Sequence, residues 1–249
     1  MPDIVLVHGA WHGSWCWKRV RNILAAGGHQ VYTPTLTGLA DRRHLLSRDV
    51  GLKTHVADVA NLIEFEDLRD VVLVGHSYGG AVVTCVADQL SDRISSLIYL
   101  DAVVPEDGKS VFDYVPDGGA RARGQAAIDG DGWMVSPYPA SVYDLLSDAD
   151  VALVDRLSTM HPMAAFEQAA PLSGAHKKIG DIGYVRGVRH IGFYDQFVVR
   201  ARSDGWWVEE FDCGHEIMLD RPTELASLLV RRVEAAGLPL VSSSPPLGI

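Results

Sequence analysis

Cysteine is scarce in this chain of 249 residues, which holds three of them. Cys16, Cys85 and Cys213 are odd in number and widely scattered, so they do not read as a disulfide framework. Their spacing also lacks the close pairs that ligate structural zinc. A few scattered thiols are typical of a reducing compartment, and we therefore expect a cytoplasmic protein.

Runs of basic residues and long apolar runs are also missing. Lys and Arg number 22 against 32 Asp and Glu, which gives a formal net charge of -10. This balance argues against nucleic acid and anionic membranes as partners. No apolar run approaches membrane-spanning length, and no targeting signal precedes the apolar residues 4–7. The expected partner is therefore a small molecule.

The chain instead has short, apolar, β-branched runs that alternate with helical patterns. It is 47 % hydrophobic, which is enough for a sizeable core. The alternation predicts an α/β fold with a mostly parallel central sheet flanked by helices on both faces. Strands are predicted at residues 4–7, 31–34, 71–74, 94–100, 182–186 and 206–211, and helices at 17–26, 52–65, 81–90 and 223–236.

This alternation stops between residues 105 and 180, where prolines, glycine-rich loops and aromatic residues are interleaved. We interpret this stretch as a cap inserted into a core formed by residues 1–104 and 181–241, with a flexible tail at 242–249. A cap encloses the substrate, so Trp133 and Met160, together with Trp11, are candidates to line the pocket. Packing inside the cap or against the first helix would account for the same residues.

The sequence G-x-S-x-G occupies residues 75–79, between a predicted strand and a predicted helix. A serine hydroxyl is a poor nucleophile unless it is held exposed beside a base and an anion-binding pocket. Gly75 and Gly79 allow the sharp turn that places Ser77 Oγ at its tip, and the backbone N–H of Tyr78 then points at a developing oxyanion. The motif in this context predicts a nucleophile elbow.

A second glycine-containing stretch, residues 8–13, follows the first predicted strand. It places the N–H of Ala10 as a second oxyanion donor. His8 and His12 lie in the same loop, but two histidines without a carboxylate are weak evidence for a metal site. We therefore predict no metal and expect His8 to hold the loop by hydrogen bonds.

The general base is expected late in the chain, in a loop after the last strand. His215 follows a predicted strand and a glycine and precedes a helix, and the other histidines lack that placement. His76 is next to Ser77, but neighbouring residues at a strand end point apart. His215 is therefore the predicted base.

These motifs together resemble a known family. The stretches 8–17 (HGAWHGSWCW), 75–80 (GHSYGG) and 213–219 (CGHEIML) are similar to the α/β-hydrolase branch of plant methylesterases, salicylic-acid-binding protein, hydroxynitrile lyases and bacterial esterases, including pyrethroid hydrolases. The resemblance implies an α/β-hydrolase fold with an eight-stranded type of core, an inserted cap and no cofactor. It also implies hydrolysis of a carboxylic ester by Ser77, His215 and an acid.

The acid is where the chain departs from the family pattern. The carboxylate is expected shortly after the predicted strand 182–186, where this chain has His190. An imidazole cannot stabilise the imidazolium of the base as a carboxylate does. Asp101, at the end of the strand after the nucleophile helix, keeps the chain order of this fold and is the favoured substitute. Asp195, or no carboxylate at all, remain the alternatives.

The leading functional hypothesis is a serine-dependent hydrolase of a small or medium apolar ester, with an aromatic ester favoured. A ligand-binding relative with weak turnover would follow if the acid is missing. A C–C bond-cleaving or rearranging enzyme of a biosynthetic pathway is the third hypothesis. A homodimer is compatible with the sequence, which does not identify the acyl or alcohol part of the ester.

Overall fold

Six strands form one parallel sheet at the centre of the structure, a computed structural model that describes residues 2–237. The strands of the described chain are β1 (Ile4–Val7), β2 (Val31–Tyr32), β3 (Val71–His76), β4 (Ile94–Leu100), β5 (Met134–Val135), β6 (His161–Pro162), β7 (Asp181–Gly187) and β8 (Trp207–Phe211). The sheet order is β2-β1-β3-β4-β7-β8, and every neighbouring pair is parallel. The predicted α/β fold is confirmed.

Helices cover both faces of this sheet, because parallel neighbours need crossover connections. The described helices are α1 (Lys18–Ala26), α2 (Leu52–Phe65), α3 (Gly79–Gln89), α4 (Ala120–Asp129), α5 (Asp148–Leu157), α6 (Ala164–Glu167), α7 (Asp195–Ser203), α8 (Ile217–Asp220) and α9 (Pro222–Gly237). The four helices predicted from the sequence begin and end within two residues of α1, α2, α3 and α9. No helix among residues 2–237 combines the length and the apolar character needed to cross a membrane.

The strand β3 shows why the sheet is buried on both faces. All six of its residues are buried, and successive side chains point to opposite faces. Leu73 packs into the core on the side of α2 and α3, whereas Val72 and Val74 pack into the core on the side of α1 and α9. Each such aliphatic side chain contributes about 1.5–3 kcal/mol by leaving water. The sheet therefore holds the strand ends that carry the site in fixed positions.

The sheet is smaller than the resemblance implied, with six strands in the described residues where an eight-stranded type was expected. The predicted strand 31–34 is also shorter, since only Val31 and Tyr32 pair with β1. β2 lies at the edge of the sheet, and Pro34 has no N–H with which to extend the ladder.

Between β4 and β7 the chain leaves the sheet and builds α4, α5, α6 and the antiparallel pair β5–β6. The glycine-rich residues 117–119 and 130–132 lie on either side of α4, whereas Asp129 is the last residue of that helix. Gly119 begins that helix from a left-handed φ of 82°, which favours glycine. The exact division into core and cap stays a prediction, and the predicted tail 242–249 lies outside the described residues.

Candidate active site

Ser77 lies on a strained turn between β3 and α3. Its φ of 55° is in the left-handed region, which a non-glycine residue adopts only when its surroundings enforce it. A Cβ on Gly75 would lie 2.7 Å from the carbonyl oxygen of Gly79, and a Cβ on Gly79 would lie 2.7 Å from that of His8. Both glycines are therefore required by close backbone approach, and the turn has the geometry of a nucleophile elbow.

The loop after β1 passes directly beside this turn. A Cβ on Gly9 would lie 2.7 Å from Ser77 Cβ, so only glycine permits this approach. The next residue, Ala10, lines the same cavity as Ser77 and Tyr78. In the described chain neither the Ala10 nor the Tyr78 amide N–H donates to a protein acceptor. Both amides can therefore donate to an oxyanion beside Ser77.

Two buried histidines, His8 and His12, hold this loop through hydrogen bonds to its backbone and to Leu36. His8 Nδ1–H donates to Gly9 O at 2.8 Å, and the Leu36 N–H donates to His8 Nε2 at 3.0 Å. Burial lowers the pKa of His8 to about 3, so its imidazole is neutral. His12 Nδ1–H donates to Ala10 O at 2.7 Å. The hydrogen bonds thus fix the peptide units on either side of the oxyanion donor.

A buried ion pair connects this loop to the residue after the base. His12 Nε2 lies 3.2 Å from Glu216 Oε1, and both side chains are almost completely buried. Burial alone would lower the pKa of His12, but the Glu216 carboxylate raises it above its ordinary value. Glu216 is not among the residues that line the cavity, and its pairing with His12 connects the His215 segment to the oxyanion loop.

His215 is joined to Asp101 across the carboxyl ends of the strands. His215 Nδ1–H donates to Asp101 Oδ2 at 2.7 Å, and the Asp101 side chain is fully buried. The N–H of His215 donates to Tyr143 O at 2.8 Å, which fixes the base from the cap side. Of the two candidate acids, the structure therefore brings Asp101 to the imidazole. Asp195 is half-exposed and forms an ion pair with Arg186 instead.

His190, at the position expected for the acid, does not replace it. Its Nδ1 lies 3.0 Å from Asp144 Oδ2, at the boundary with the inserted segment. Its ring lines the cavity with a centroid 5.1 Å from that of His215. It therefore shapes the pocket wall.

Arg186 is a site residue that sequence reasoning missed. Its buried guanidinium donates to Asp101 Oδ1 at 2.6 Å, to Asp195 Oδ1 at 2.8 Å and to Gly187 O at 2.7 Å. A further N–H contacts the carbonyl oxygen of His190. The only signal of Arg186 in the sequence was a charged side chain at the end of the otherwise apolar predicted strand 182–186. One cation thus holds both the acid and the loop that follows β7.

The acid and base have strongly shifted pKa values. Burial raises the pKa of Asp101 to about 7, and the neighbouring Arg186 opposes that rise. Burial lowers the pKa of His215 to about 3, and the Glu216 carboxylate opposes that fall. The imidazole is therefore neutral at pH 7, as a general base must be.

Tyr194 is a second residue that the sequence analysis did not find. Its hydroxyl lies 2.9 Å from Ser77 Oγ and 3.4 Å from His215 Nε2. Among the described residues, these contacts link the two side chains, and no direct Ser77–His215 hydrogen bond is formed. Only its position near Asp195, one of the candidate acids, could have drawn attention to it.

The cavity above Ser77 has a volume of about 390 Å³ and is mainly apolar. Trp11 lines it, as predicted, and its indole N–H donates to Val135 O at 2.9 Å. Trp133 lies outside this cavity, with the Arg48 guanidinium 5.4 Å from its ring centroid. Met160 is not among the lining residues either. The cavity wall on the cap side is instead formed by ten other residues of the inserted segment, namely Val111, Phe112, Val115, Pro116, Ala122, Val135, Tyr138, Val142, Tyr143 and Phe166.

One cluster in the described chain has metal-ligating residue types close together. Ligand atoms of His76, His215 and Glu216 lie within 4.8 Å of one another. The contacts of this cluster are those of a triad and its support, since His215 Nδ1 binds Asp101 and Glu216 pairs with His12. The arrangement therefore matches acyl transfer by a serine, a base and an acid.

Comparison with known proteins agrees with this geometry. A family model described as the alpha/beta hydrolase family matches residues 4–228. The chain belongs to the alpha/beta hydrolase family. The family match covers β1 to β8, including the turns that carry Ser77, Asp101 and His215.

Several relatives of this alpha/beta hydrolase are esterases by name. It is 39 % identical over 242 residues to the carbendazim hydrolyzing esterase of a Nocardioides strain, covering 92 % of this chain and 98 % of that protein. It is 24 % identical to methylesterase 3 of Arabidopsis thaliana, covering 91 % and 94 % of the two chains. An extracellular alpha/beta-hydrolase from Paenibacillus superposes with a TM-score of 0.81 over 93 % of this chain and 99 % of that one, at 24 % identity. That last match shows the shared fold.

The Asp101–His215 hydrogen bond makes a direct prediction for the hydrolase. Asp101→Asn keeps the shape of the side chain but favours the wrong imidazole tautomer, so kcat should fall by about 10⁴-fold, as in the serine-protease precedent. KM should change little. Steady-state kinetics measures both, thermal melting checks the fold, and Asp195→Asn is the comparison. A kcat for Asp101→Asn within a few-fold of wild type would make Asp101 a structural residue.

The shifted pKa of Asp101 predicts an acid limb in the pH profile. Because burial raises this pKa to about 7, the ionised carboxylate is lost as the pH falls through that value, and kcat/KM should fall with it. Arg186 lowers the same pKa, so Arg186→Gln should move the limb to higher pH by about 1–3 units. The matched control is Arg189→Gln, which breaks an exposed pair with Asp212 in the same loop. If the acid limbs of the kcat/KM profiles of Arg186→Gln and Arg189→Gln fall at the same pH, this account is contradicted.

Proposed function

We propose that this alpha/beta hydrolase cleaves carboxylic esters through an acyl-enzyme on Ser77. The observation that carries the proposal is the convergence on one cavity of the Ser77 turn, the Asp101-bound His215, and two amides with no protein acceptor. The esterase names of its relatives support the same reaction class.

The reaction follows from these positions. Ser77 Oγ attacks the ester carbonyl carbon and loses its proton, and His215 Nε2 gains a proton as the general base. The amides of Ala10 and Tyr78 donate to the oxyanion, and one such donor is typically worth about 2.7–4 kcal/mol. The intermediate collapses when the proton passes to the leaving alcohol. Water then attacks the acyl-enzyme with His215 as base, which releases the acid and restores Ser77.

The lining of the cavity indicates the substrate class. Aromatic and aliphatic side chains form most of the wall, and none of the described lining residues is Asp, Glu, Lys or Arg. A neutral, apolar ester therefore enters without leaving a buried charge unpaired. The volume of about 390 Å³ suits a small or medium ester, with an aromatic ring favoured by Trp11 and Phe166. The compound named for the Nocardioides relative, carbendazim, belongs in the test panel.

The binding-protein hypothesis depended on a missing acid, and the Asp101–His215 bond of 2.7 Å weakens it. The C–C bond-cleaving hypothesis is less well supported than ester hydrolysis, because Ser77 and two amide donors are the groups that acyl transfer requires. Product analysis with a β-diketone beside an ester separates the two reactions.

The cytoplasmic location also stands as a proposal. It is supported by the three cysteines, all buried and all free thiols in the structure. Cell fractionation tests it, and size-exclusion chromatography with light scattering tests for a homodimer.

Replacing the nucleophile or the base is the decisive test of the reaction class. Ser77→Ala and His215→Ala should each lower kcat for p-nitrophenyl acetate by about 10⁶-fold, because the two residues act as a unit. Ser14→Ala, which removes a half-buried hydroxyl bonded to Thr33 outside the cavity, is the matched control. Near-normal turnover by Ser77→Ala would end the assignment as a serine hydrolase.

Chelation tests the prediction that no metal takes part. Prolonged dialysis against a strong chelator should leave kcat/KM unchanged, since the histidines and Glu216 are engaged in the triad and its support. Activity that disappears on chelation and returns with a single divalent ion would show that His76, His215 and Glu216 act as ligands.

A further inference from the structure

Tyr194 stands between the nucleophile and the base. Its hydroxyl is 2.9 Å from Ser77 Oγ and 3.4 Å from His215 Nε2, whereas the two catalytic side chains share no direct hydrogen bond in the described structure. In the usual arrangement the serine hydroxyl bonds to the imidazole itself. The contacts that join Ser77 to His215 therefore run through a third side chain here.

The tyrosine ring is held firmly in this position. It stacks on the His215 ring with a centroid distance of 4.7 Å and an interplanar angle of 16°. The Phe193 ring also meets it edge-on at 4.9 Å. The side chain is buried, so this packing keeps the hydroxyl beside Ser77 and His215.

The backbone that carries the tyrosine is tied to the acid of the triad. Tyr194 directly precedes α7, and Asp195, the first residue of α7, binds both Arg186 and the N–H of Gly192. Arg186 in turn binds Asp101. The Arg186 guanidinium thus positions both Asp101 and the segment that carries Tyr194. Through it, the acid at one end of the series Ser77, Tyr194, His215 and Asp101 is connected to the tyrosine.

We propose that Tyr194 is a catalytic residue that passes the proton between Ser77 and His215. This inference rests on the proposed function, since it specifies a step of the same ester hydrolysis. As Ser77 Oγ bonds to the carbonyl carbon, its proton moves to Tyr194 Oη while the hydroxyl proton of Tyr194 moves to His215 Nε2. On collapse, the imidazolium proton of His215 passes to Tyr194 Oη while the proton of that hydroxyl passes to the leaving oxygen, and Ser77 Oγ stays bonded to the acyl carbon.

A hydroxyl group suits this task because it donates one hydrogen bond and accepts another at the same time. Burial raises the pKa of Tyr194, so the phenol gives up its own proton only as it receives another. The 3.4 Å contact with Nε2 is long and, because the tyrosine ring stacks on the imidazole, it lies to one side of the ring plane that holds the Nε2 lone pair. The proposed transfer therefore requires the hydroxyl to move toward that plane when substrate binds, as catalytic hydrogen bonds that are long in free enzymes commonly do.

The competing role is that of a plug whose hydroxyl occupies the space in which Ser77 and His215 would meet. The two roles predict different effects on kcat when the hydroxyl is removed. Removing the hydroxyl of a relay breaks the proton path, whereas removing the hydroxyl of a plug leaves turnover unchanged or raises it.

Tyr194→Phe distinguishes the two roles. The relay predicts a fall in kcat of about 10²–10⁴-fold with KM within a few-fold of wild type. Rates measured in mixtures of light and heavy water should show two moving protons in the wild type and one in the residual reaction of the variant. Tyr99→Phe is the matched control, since Tyr99 is also buried and its hydroxyl bonds to Thr84 at 2.8 Å, away from the cavity.

The outcomes separate this inference from the proposed function. If the wild type hydrolyses esters, Ser77→Ala is inactive and Tyr194→Phe keeps a kcat within three-fold of wild type, the relay is wrong and the serine hydrolase stands. If the wild type cleaves no ester in the panel and Ser77→Ala behaves identically, the proposed function fails first. A folded Tyr194→Phe variant with the predicted loss in kcat and the changed isotope dependence supports the relay.

Discussion

The buried guanidinium of Arg186 is the constraint on which the rest of the site depends. A buried cation is tolerated only when it is paired and fully hydrogen-bonded, and removing one partner of such a pair typically costs about 3–5 kcal/mol. Arg186 meets this requirement with Asp101, Asp195 and two loop carbonyls. Satisfying one charge therefore fixes the acid, the loop after β7 and the start of α7 together. The segment that carries Tyr194 takes its position from the same interaction.

Strand order explains how the acid can lie outside its usual position. Ser77 follows β3, Asp101 follows β4 and His215 follows β8, so all three lie at the carboxyl edge of one parallel sheet. β4 and β7 are neighbours in that sheet. A carboxylate at the end of either strand therefore reaches the same imidazole. With the acid after β4 instead of β7, His215 Nδ1 still has a carboxylate partner. The loop after β7 then needs no carboxylate, and its His190 lines the pocket and contacts Asp144.

Local patterns in the sequence predicted the features that depend on local geometry. The glycines around Ser77 and the alternation of strands and helices predicted the sharp turn at Ser77 and the α/β fold. The place of His215 after the last strand predicted a residue that the structure brings to Asp101. Asp101 could be favoured because chain order limits where an acid can lie. Arg186 and Tyr194 could not be found, since their roles depend on the path of a loop between two strands. Trp133 and Met160 were chosen as pocket residues from composition, but the fold of the cap turns other side chains toward Ser77.

The most direct test of the central claim is to trap the acyl-enzyme. The protein is mixed with a slowly deacylating p-nitrophenyl ester, quenched in acid within one turnover and digested for mass spectrometry. The account predicts an acyl group on Ser77 in the wild type, reduced labelling in Asp101→Asn at the same time point, and none at that position in Ser77→Ala. Ester hydrolysis by the wild type with no acyl group on Ser77 at any time, or with labelling equally fast in Asp101→Asn, would contradict it.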